Sequence, residues 1–263
     1  MKPAAFDYAR PKSWADAVQL IALGARPGAG TQSLGPLLNF RLAQPGTIAD
    51  LRHLPDYAGV TIVGDVLRIG AGTTHAAIED GAVPGRIGEI MAGVARRIAY
   101  RPVRNRGTIG GSLAHADPAA DWVAVLPALG GTAIAIGPKG ERRLLLASFV
   151  LGIFETALAP DELLRAIEVP VLPAGARWGH WKFCRKVGEF SKATGCVLHV
   201  PGARPRAVLA ALDGPPLIIE DASALLADSV AEARRIVATV PDLAPWRQAL
   251  AETALRHAAK AVS

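Results

Sequence analysis

The residue pattern predicts an α+β protein built in subdomains, and three observations predict it. Strand and helix periodicities alternate along the whole chain. Residues 171–176, stiffened by Pro170 and Pro173, read as the best linker in it. Beyond that linker, three short strands precede three helical patterns. With 263 residues and 51% hydrophobic composition the chain can bury a real core, as one large domain or as two to three smaller ones.

Ser13, followed by Asp16 and by apolar Trp14, Ala17, Val18 and Ile21, predicts a capped amphipathic helix ending at Gly24. Residues 26–34 (RPGAGTQSL) read as one tight loop with exposed backbone amides. Residues 61–63 and 66–69 form a hairpin about Gly64-Asp65, the glycine supplying a positive φ. Thr74 caps a short helix, and Ile87, Ile90, Met91, Val94, Ala95 and Ile98 mark the buried face of another. That helix delivers the chain to a second glycine-rich loop at residues 108–113. A strand at 132–136, a turn at 137–140, a return at 142–146 and a strand ending at Pro170 complete the first part. After the linker come strands at 196–200, 207–212 and 217–219, then helices at 222–226, 229–238 and 245–259, with Pro245 at a first helical position. No period of 20 to 50 residues repeats.

Net charge is +6. The basic residues are scattered, densest at Arg96, Arg97, Arg101, Arg104 and Arg106, with no basic tail. A phosphate-bearing ligand or a partner surface fits this better than nucleic acid. Cys184 and Cys196 match no iron–sulfur or zinc framework and read as free thiols. The first ten residues lack the apolar run of a signal peptide, and no stretch of about 18 apolar residues exists, so a soluble, cytoplasmic protein without a membrane span is expected. No two histidines have metal-ligand spacing; a solvated or packing role is the default for His53, His75, His199 and His257. No hydrolytic constellation is present, so neither a catalytic nor a metal residue is assigned.

Chemistry concentrates in the two glycine-rich segments. Converging backbone amides hold a diphosphate where glycines let the chain approach closely. Neither segment has the dinucleotide-binding or P-loop pattern, so a different nucleotide fold is required. Asp117 and Asp121 could accept hydrogen bonds from ribose hydroxyls, or could mark a helix N-terminus, which Asp117-Pro118 also favours.

Taken together, MKPAAFDYARP at the N-terminus, AGTQSL at 29–34, RNRGTIGGSLAHADPAADW at 104–122 and KFCRKVGEFSKATG at 182–195 resemble the FAD-binding medium subunit of the molybdenum hydroxylases, the carbon monoxide dehydrogenase and xanthine dehydrogenase group. The resemblance covers nearly the whole chain. It implies a vanillyl-alcohol-oxidase-like (PCMH-type) FAD-binding fold: two α/β subdomains at 1–54 and 55–172, then a domain of a small antiparallel sheet plus helices at 173–263. It places the FAD diphosphate on Ala29, Gly30, Thr31, Gln32, Ser33 and Leu34 and on Thr108, Ile109, Gly110, Gly111 and Ser112. It sets Ala114 and His115 near the isoalloxazine, Asp121, with Asp117 close by, at the ribitol or ribose hydroxyls, and Lys182 at the flavin's pyrimidine end. It further implies an electron-transfer subunit. Partners are a large molybdopterin (Mo) subunit, which selects the organic substrate, and a small subunit with two [2Fe–2S] clusters, in a dimer of heterotrimers.

Two departures stand out. The family's first loop usually reads AGGQSL, so Thr31 must avoid positive φ or incur strain of about 1 kcal/mol. His180 lies where relatives often place an aromatic residue near the ring, leaving Trp178 or Trp181 as stacking partners. Two other readings compete: a free-standing FAD-dependent reductase or oxidase on the same fold, with His115 as its acid or base, and a non-redox nucleotide-binding assembly module.

Overall fold

The computed structural model describes residues 2–263; Met1, which opens the N-terminal motif and the 1–54 segment, lies outside them. The architecture is α+β. The strand β1 (Asp7–Ala9) and helix α1 (Trp14–Ala22) lead to β2 (Arg26–Gly28), α2 (Leu34–Asn39) and β3 (Thr47–Asp50). β3 is the middle strand of a parallel sheet ordered β1-β3-β2, with Ile48 opposite both Tyr8 and Arg26. Ser13 caps α1 as expected, its hydroxyl accepting from the Asp16 amide at 3.1 Å, and Trp14, Ala17, Val18 and Ile21 are buried.

The chain continues through β4 (Val60–Val63), β5 (Val66–Gly70), α3 (His75–Glu79), α4 (Gly85–Ala95), α5 (Arg101–Arg104), α6 (Ile109–His115) and α7 (Asp121–Ala128). It then forms β6 (Thr132–Gly137), β7 (Gly140–Leu145), β8 (Val150–Gly152), β9 (Glu155–Thr156) and β10 (Leu163–Pro170). β10 threads between two hairpins to complete an antiparallel sheet ordered β4-β5-β10-β6-β7. The β4–β5 hairpin turns where the sequence places it, with Val63 opposite Val66 and Gly64 at φ 63°.

After the 171–176 segment come β11 (Arg177–Phe183), β12 (Ala193–His199), β13 (Arg206–Ala210) and β14 (Leu217–Ile219), antiparallel in that order, then α8 (Ser223–Ala227), α9 (Ser229–Val237) and α10 (Pro245–Lys260). Strand alternation splits the apolar residues between two cores. Cys196, Leu198, Val208 and Ala210 join the core that contains α7, whereas Val197, Ala207 and Leu209 pack under α8 to α10. The sheet is therefore buried on both faces.

Three sequence expectations are corrected. The 26–34 run is not one loop: its first three residues are β2, which Arg-Pro-Gly disguises because none of the three favours strands. The 108–113 segment is not a loop but the cap and first turns of α6. The helix expected over 87–98 ends at Ala95, with Ile98 outside it. The sequence reading also placed no element at β1, α2, β3, α5, β8, β9 or β11, nor at α7, whose residues are buried all round and carry no periodic polar face. Among the described residues, no helix is long and apolar enough to cross a membrane.

Candidate functional site

The first segment leaves the C-terminal end of β2, at the edge where ligands meet parallel sheets. Gly30 is buried there, packed so closely that a Cβ would lie 1.9 Å from the Arg106 carbonyl oxygen. Glycine thus lets the first segment press against Arg106 and Gly107, directly before the second. Thr31 takes φ 57°, so the strain foreseen for this residue is present. Its carbonyl accepts from the Gly35 amide at 2.7 Å, and Gln32 Nε2 folds back on the Gly30 carbonyl at 3.0 Å. The amides of Gly30, Thr31, Gln32 and Ser33 find no acceptor among the described residues. These are four unpaired donors on the turn that leads into α2.

The second segment is built differently. Thr108 caps α6, its hydroxyl accepting from the Gly111 amide at 3.0 Å. The Ile109 amide donates to Thr73 O (3.0 Å), Gly110 to Ala71 O (2.9 Å) and Ser112 to Thr108 O (3.0 Å). All four amides of this turn are therefore committed within the protein. A Cβ on Gly110 would meet Ala71 Cβ at 2.3 Å; one on Gly111 would meet Thr108 Oγ1 at 2.8 Å and Ala29 Cβ at 3.6 Å. Gly111 faces the first segment, so the two sequence-distant motifs form one wall. Residues 71–74, which sequence reasoning did not assign to the site, underpin it: Thr74 bridges Thr108, and the His75 amide donates to Gly107 O at 2.9 Å. The available signal was a run of small residues, Ala71-Gly72-Thr73, directly after a strand.

The remaining expected residues lie along α6, α7 and β11. Ala114 and His115 end α6, which Ala116 closes at φ 51°. The His115 ring packs against Phe154 at a tilt of 32°, ring centres 4.9 Å apart, and burial lowers its pKa. Asp117 Oδ1 accepts from the Ala119 amide at 2.9 Å, which is the turn-forming role its Asp-Pro context allowed. Asp121 opens α7 and meets Lys182 Nζ of β11 at 2.9 Å, the two side chains 5% and 1% exposed. Burial raises the Asp121 carboxyl, with the Lys182 charge opposing. Among the described residues, Asp121 Oδ1 stays buried without a hydrogen-bond partner, and so does His180 Nε2. Burial, then the charges of Arg97 and Lys182, hold His180 neutral with a pKa of about 4. Trp181 points to the opposite face of β11, stacked on His257 of α10 at 5.2 Å, whereas Trp178 stacks on His180. Arg101 and Arg104 of the basic cluster are not free for a ligand, because Glu79 and Asp80 hold them.

Small residues at the meeting line, four free amides and a buried carboxylate oxygen lacking a donor suit a diphosphate joined to a hydroxyl-bearing chain. Among the described residues no three His, Cys, Asp or Glu side chains cluster, and both cysteines are free.

Comparison with known proteins agrees with this chemistry. Residues 4–172 match the model described as FAD binding domain in molybdopterin dehydrogenase. The chain is 40% identical over 202 residues to the carbon monoxide dehydrogenase medium chain of Afipia carboxidovorans, covering 75% of this chain and 70% of that one. It is 38% identical over 200 residues to the nicotine 6-hydroxylase medium subunit of Paenarthrobacter nicotinovorans, with the same coverage. In structure it matches carbon monoxide dehydrogenase from Hydrogenophaga pseudoflava with a TM-score of 0.89 at 29% identity, over 100% of this chain and 98% of that one. Quinoline 2-oxidoreductase from Pseudomonas putida 86 gives 0.89 at 28% identity with the same coverage. The chain therefore belongs to the family of FAD-binding medium subunits of the molybdenum hydroxylases.

Proposed function

We propose that this chain is the electron-transfer subunit of a heteromeric molybdopterin hydroxylase, binding FAD where its two glycine segments meet. The observation that carries this reading is the packing of Gly30 on Arg106 and of Gly111 beside Ala29, which brings four free amides and a small-residue wall to one place. Ala29, Gly30, Thr31, Gln32, Ser33 and Leu34 supply amides to the diphosphate. Thr108, Ile109, Gly110, Gly111 and Ser112 supply a close, side-chain-poor surface and one hydroxyl. Ala114 and His115 line the approach to the ring, and Asp117 and the free oxygen of Asp121 accept from hydroxyls of the ribitol or ribose. Lys182 places positive charge at the pyrimidine end, which favours a reduced, anionic flavin. Bound FAD supplies the redox centre between [2Fe–2S] clusters of a small partner subunit and an external acceptor.

The fold is of the vanillyl-alcohol-oxidase-like (PCMH-type) kind, with subdomains at 1–54 and 55–172 and a third domain at 173–263. A large molybdopterin subunit completes a dimer of heterotrimers in the cytoplasm, with no nucleic-acid partner. The names of relatives as medium chains support this assembly. The test is to co-express the full chain with its neighbouring subunits and follow visible flavin absorbance through purification. Stoichiometric FAD is expected, and Lys182→Ala should lower the flavin potential while retaining most of the FAD. A colourless chain sinks the FAD reading; flavin reduction by an organic substrate with the chain alone sinks the relay.

A further inference from the structure

We infer that Arg104 is a positioning residue that fixes Lys182 relative to the FAD-binding segments. The inference rests on the FAD reading above. Arg104 is buried and every arm of its guanidinium is used. On one side it grips Glu79 of α3 in two hydrogen bonds, Nε to Oε2 at 2.7 Å and Nη2 to Oε1 at 3.1 Å. The N-terminal end of α3 is what supports the second segment: Thr74 bridges Thr108, and the His75 amide donates to Gly107 O. On the other side Arg104 Nη1 donates to the carbonyls of Ile98 (2.9 Å) and Ala99 (3.1 Å).

Those two carbonyls belong to a strained turn, with Ala99 at φ 42°. The turn is docked on the connection between β11 and β12. Ile98 bridges Gly188, a Cβ on Gly188 would lie 2.4 Å from the Ala99 carbonyl oxygen, and Arg97 Nη2 donates to the Lys182 carbonyl at 3.3 Å. Residues 97–99 are thus clamped between the Arg104 fork and the strand that carries Lys182. Arg104 is the side chain that ties this turn to the helix behind the glycine wall. A planar fork with fixed donor directions can hold a carboxylate and two carbonyls at once; an ammonium cannot hold the same set. The neighbouring Arg101 also reaches Glu79 Oε2, at 3.0 Å, but its other partners are Asp80 and Asn105. It provides a control that shares Glu79 with Arg104 but does not hold the 98–99 turn.

The experiment measures the midpoint potential of the bound flavin and FAD affinity in the full chain carrying Arg104→Lys, Gly188→Ala or Arg101→Gln. Gly188→Ala pushes on the same turn from the far side without touching the buried ion pair, so it remains informative if Arg104→Lys fails to fold. Gly188→Ala is expected to shift the potential and, together with Arg104→Lys, to weaken FAD binding roughly tenfold. Arg104→Lys should not restore the wild-type potential despite keeping its charge, and Arg101→Gln should leave the potential unchanged. The inference is overturned if Gly188→Ala has the wild-type potential, or if Arg101→Gln shifts the potential as far as Arg104→Lys does. A wild-type chain without flavin instead overturns the FAD reading itself, so the two failures are distinguishable.

Discussion

The two glycine-rich segments read alike in sequence and do opposite work in the structure. The first presents four amides that bond nothing among the described residues, on a turn that includes a strained Thr31; the second has spent its amides on Ala71, Thr73 and its own cap. A donor-bearing loop is held against a rigid wall. The lesson is that glycine pairs mark close approach, and only the hydrogen-bond inventory distinguishes a segment that offers donors from one that offers shape.

The largest effect is expected at the buried ion pair of Lys182 and Asp121. Lys182→Met leaves the Asp121 carboxylate buried without its cation, which should cost about 3–5 kcal/mol in thermal unfolding at neutral pH. The sign of the pH dependence follows from burial, which raises this carboxyl above its unfolded value of 3.8. The folded state then holds the proton more tightly than the unfolded chain, so stability falls as pH rises through the folded pKa. Without Lys182 to oppose burial, the variant should regain stability as pH falls from neutrality, far more than wild type. A Tm difference between the two that stays constant with pH contradicts this.

The contact between the segments is the next target. In Gly30→Ala the new Cβ meets backbone at Arg106 and Gly107, which cannot rotate away. Overpacking of about 3 kcal/mol and loss of retained FAD are expected. Gly111→Val should also lose FAD, with less destabilisation, because its nearest contacts are the Thr108 hydroxyl and the Ala29 methyl. Flavin absorbance and Tm measured on both variants separate the two: equal Tm losses would remove the distinction drawn here.

Much of this was legible in sequence wherever a local rule decides structure. The Ser13 and Thr74 caps, the Gly64 turn and the Pro245 helix start depend on a few adjacent residues, and all are present. The misses share a different cause, since long-range partners decided them. β2 is a strand only because β3 lies beside it, and α7 has no polar face because it is enclosed between α6 and the β12–β13 sheet. The candidate site divides the same way. Its glycines were visible, but the supporting 71–74 segment, the committed amides of α6 and the Arg104 clamp are tertiary facts. The two named departures also resolved differently. Thr31 does adopt positive φ, and His180 has a buried, unpartnered nitrogen on the Lys182 side of β11, while Trp181 faces away.

Thr31 offers the gentlest change to the first segment. Thr31→Gly removes a Cβ from a left-handed position and should stabilise the fold by about 1 kcal/mol. With the amides already aimed, FAD affinity should stay equal or rise. Weaker binding alongside higher stability would mean that the threonine hydroxyl, rather than the turn, contacts the ligand, and titration calorimetry with FAD reads this directly.

The smallest expected effect probes the Ser112 hydroxyl of the wall. The Ser112 hydroxyl has no hydrogen-bond partner among the described residues, whereas the Ser112 amide is bonded to Thr108. Ser112→Ala therefore removes nothing that holds α6 together, and its exchange for a good helix former should leave Tm unchanged or slightly higher. If the hydroxyl meets the diphosphate, FAD affinity falls by about 1 kcal/mol, a few-fold to tenfold. If affinity is unchanged, the second segment contributes shape alone, and the contrast with the donor-bearing first loop is complete.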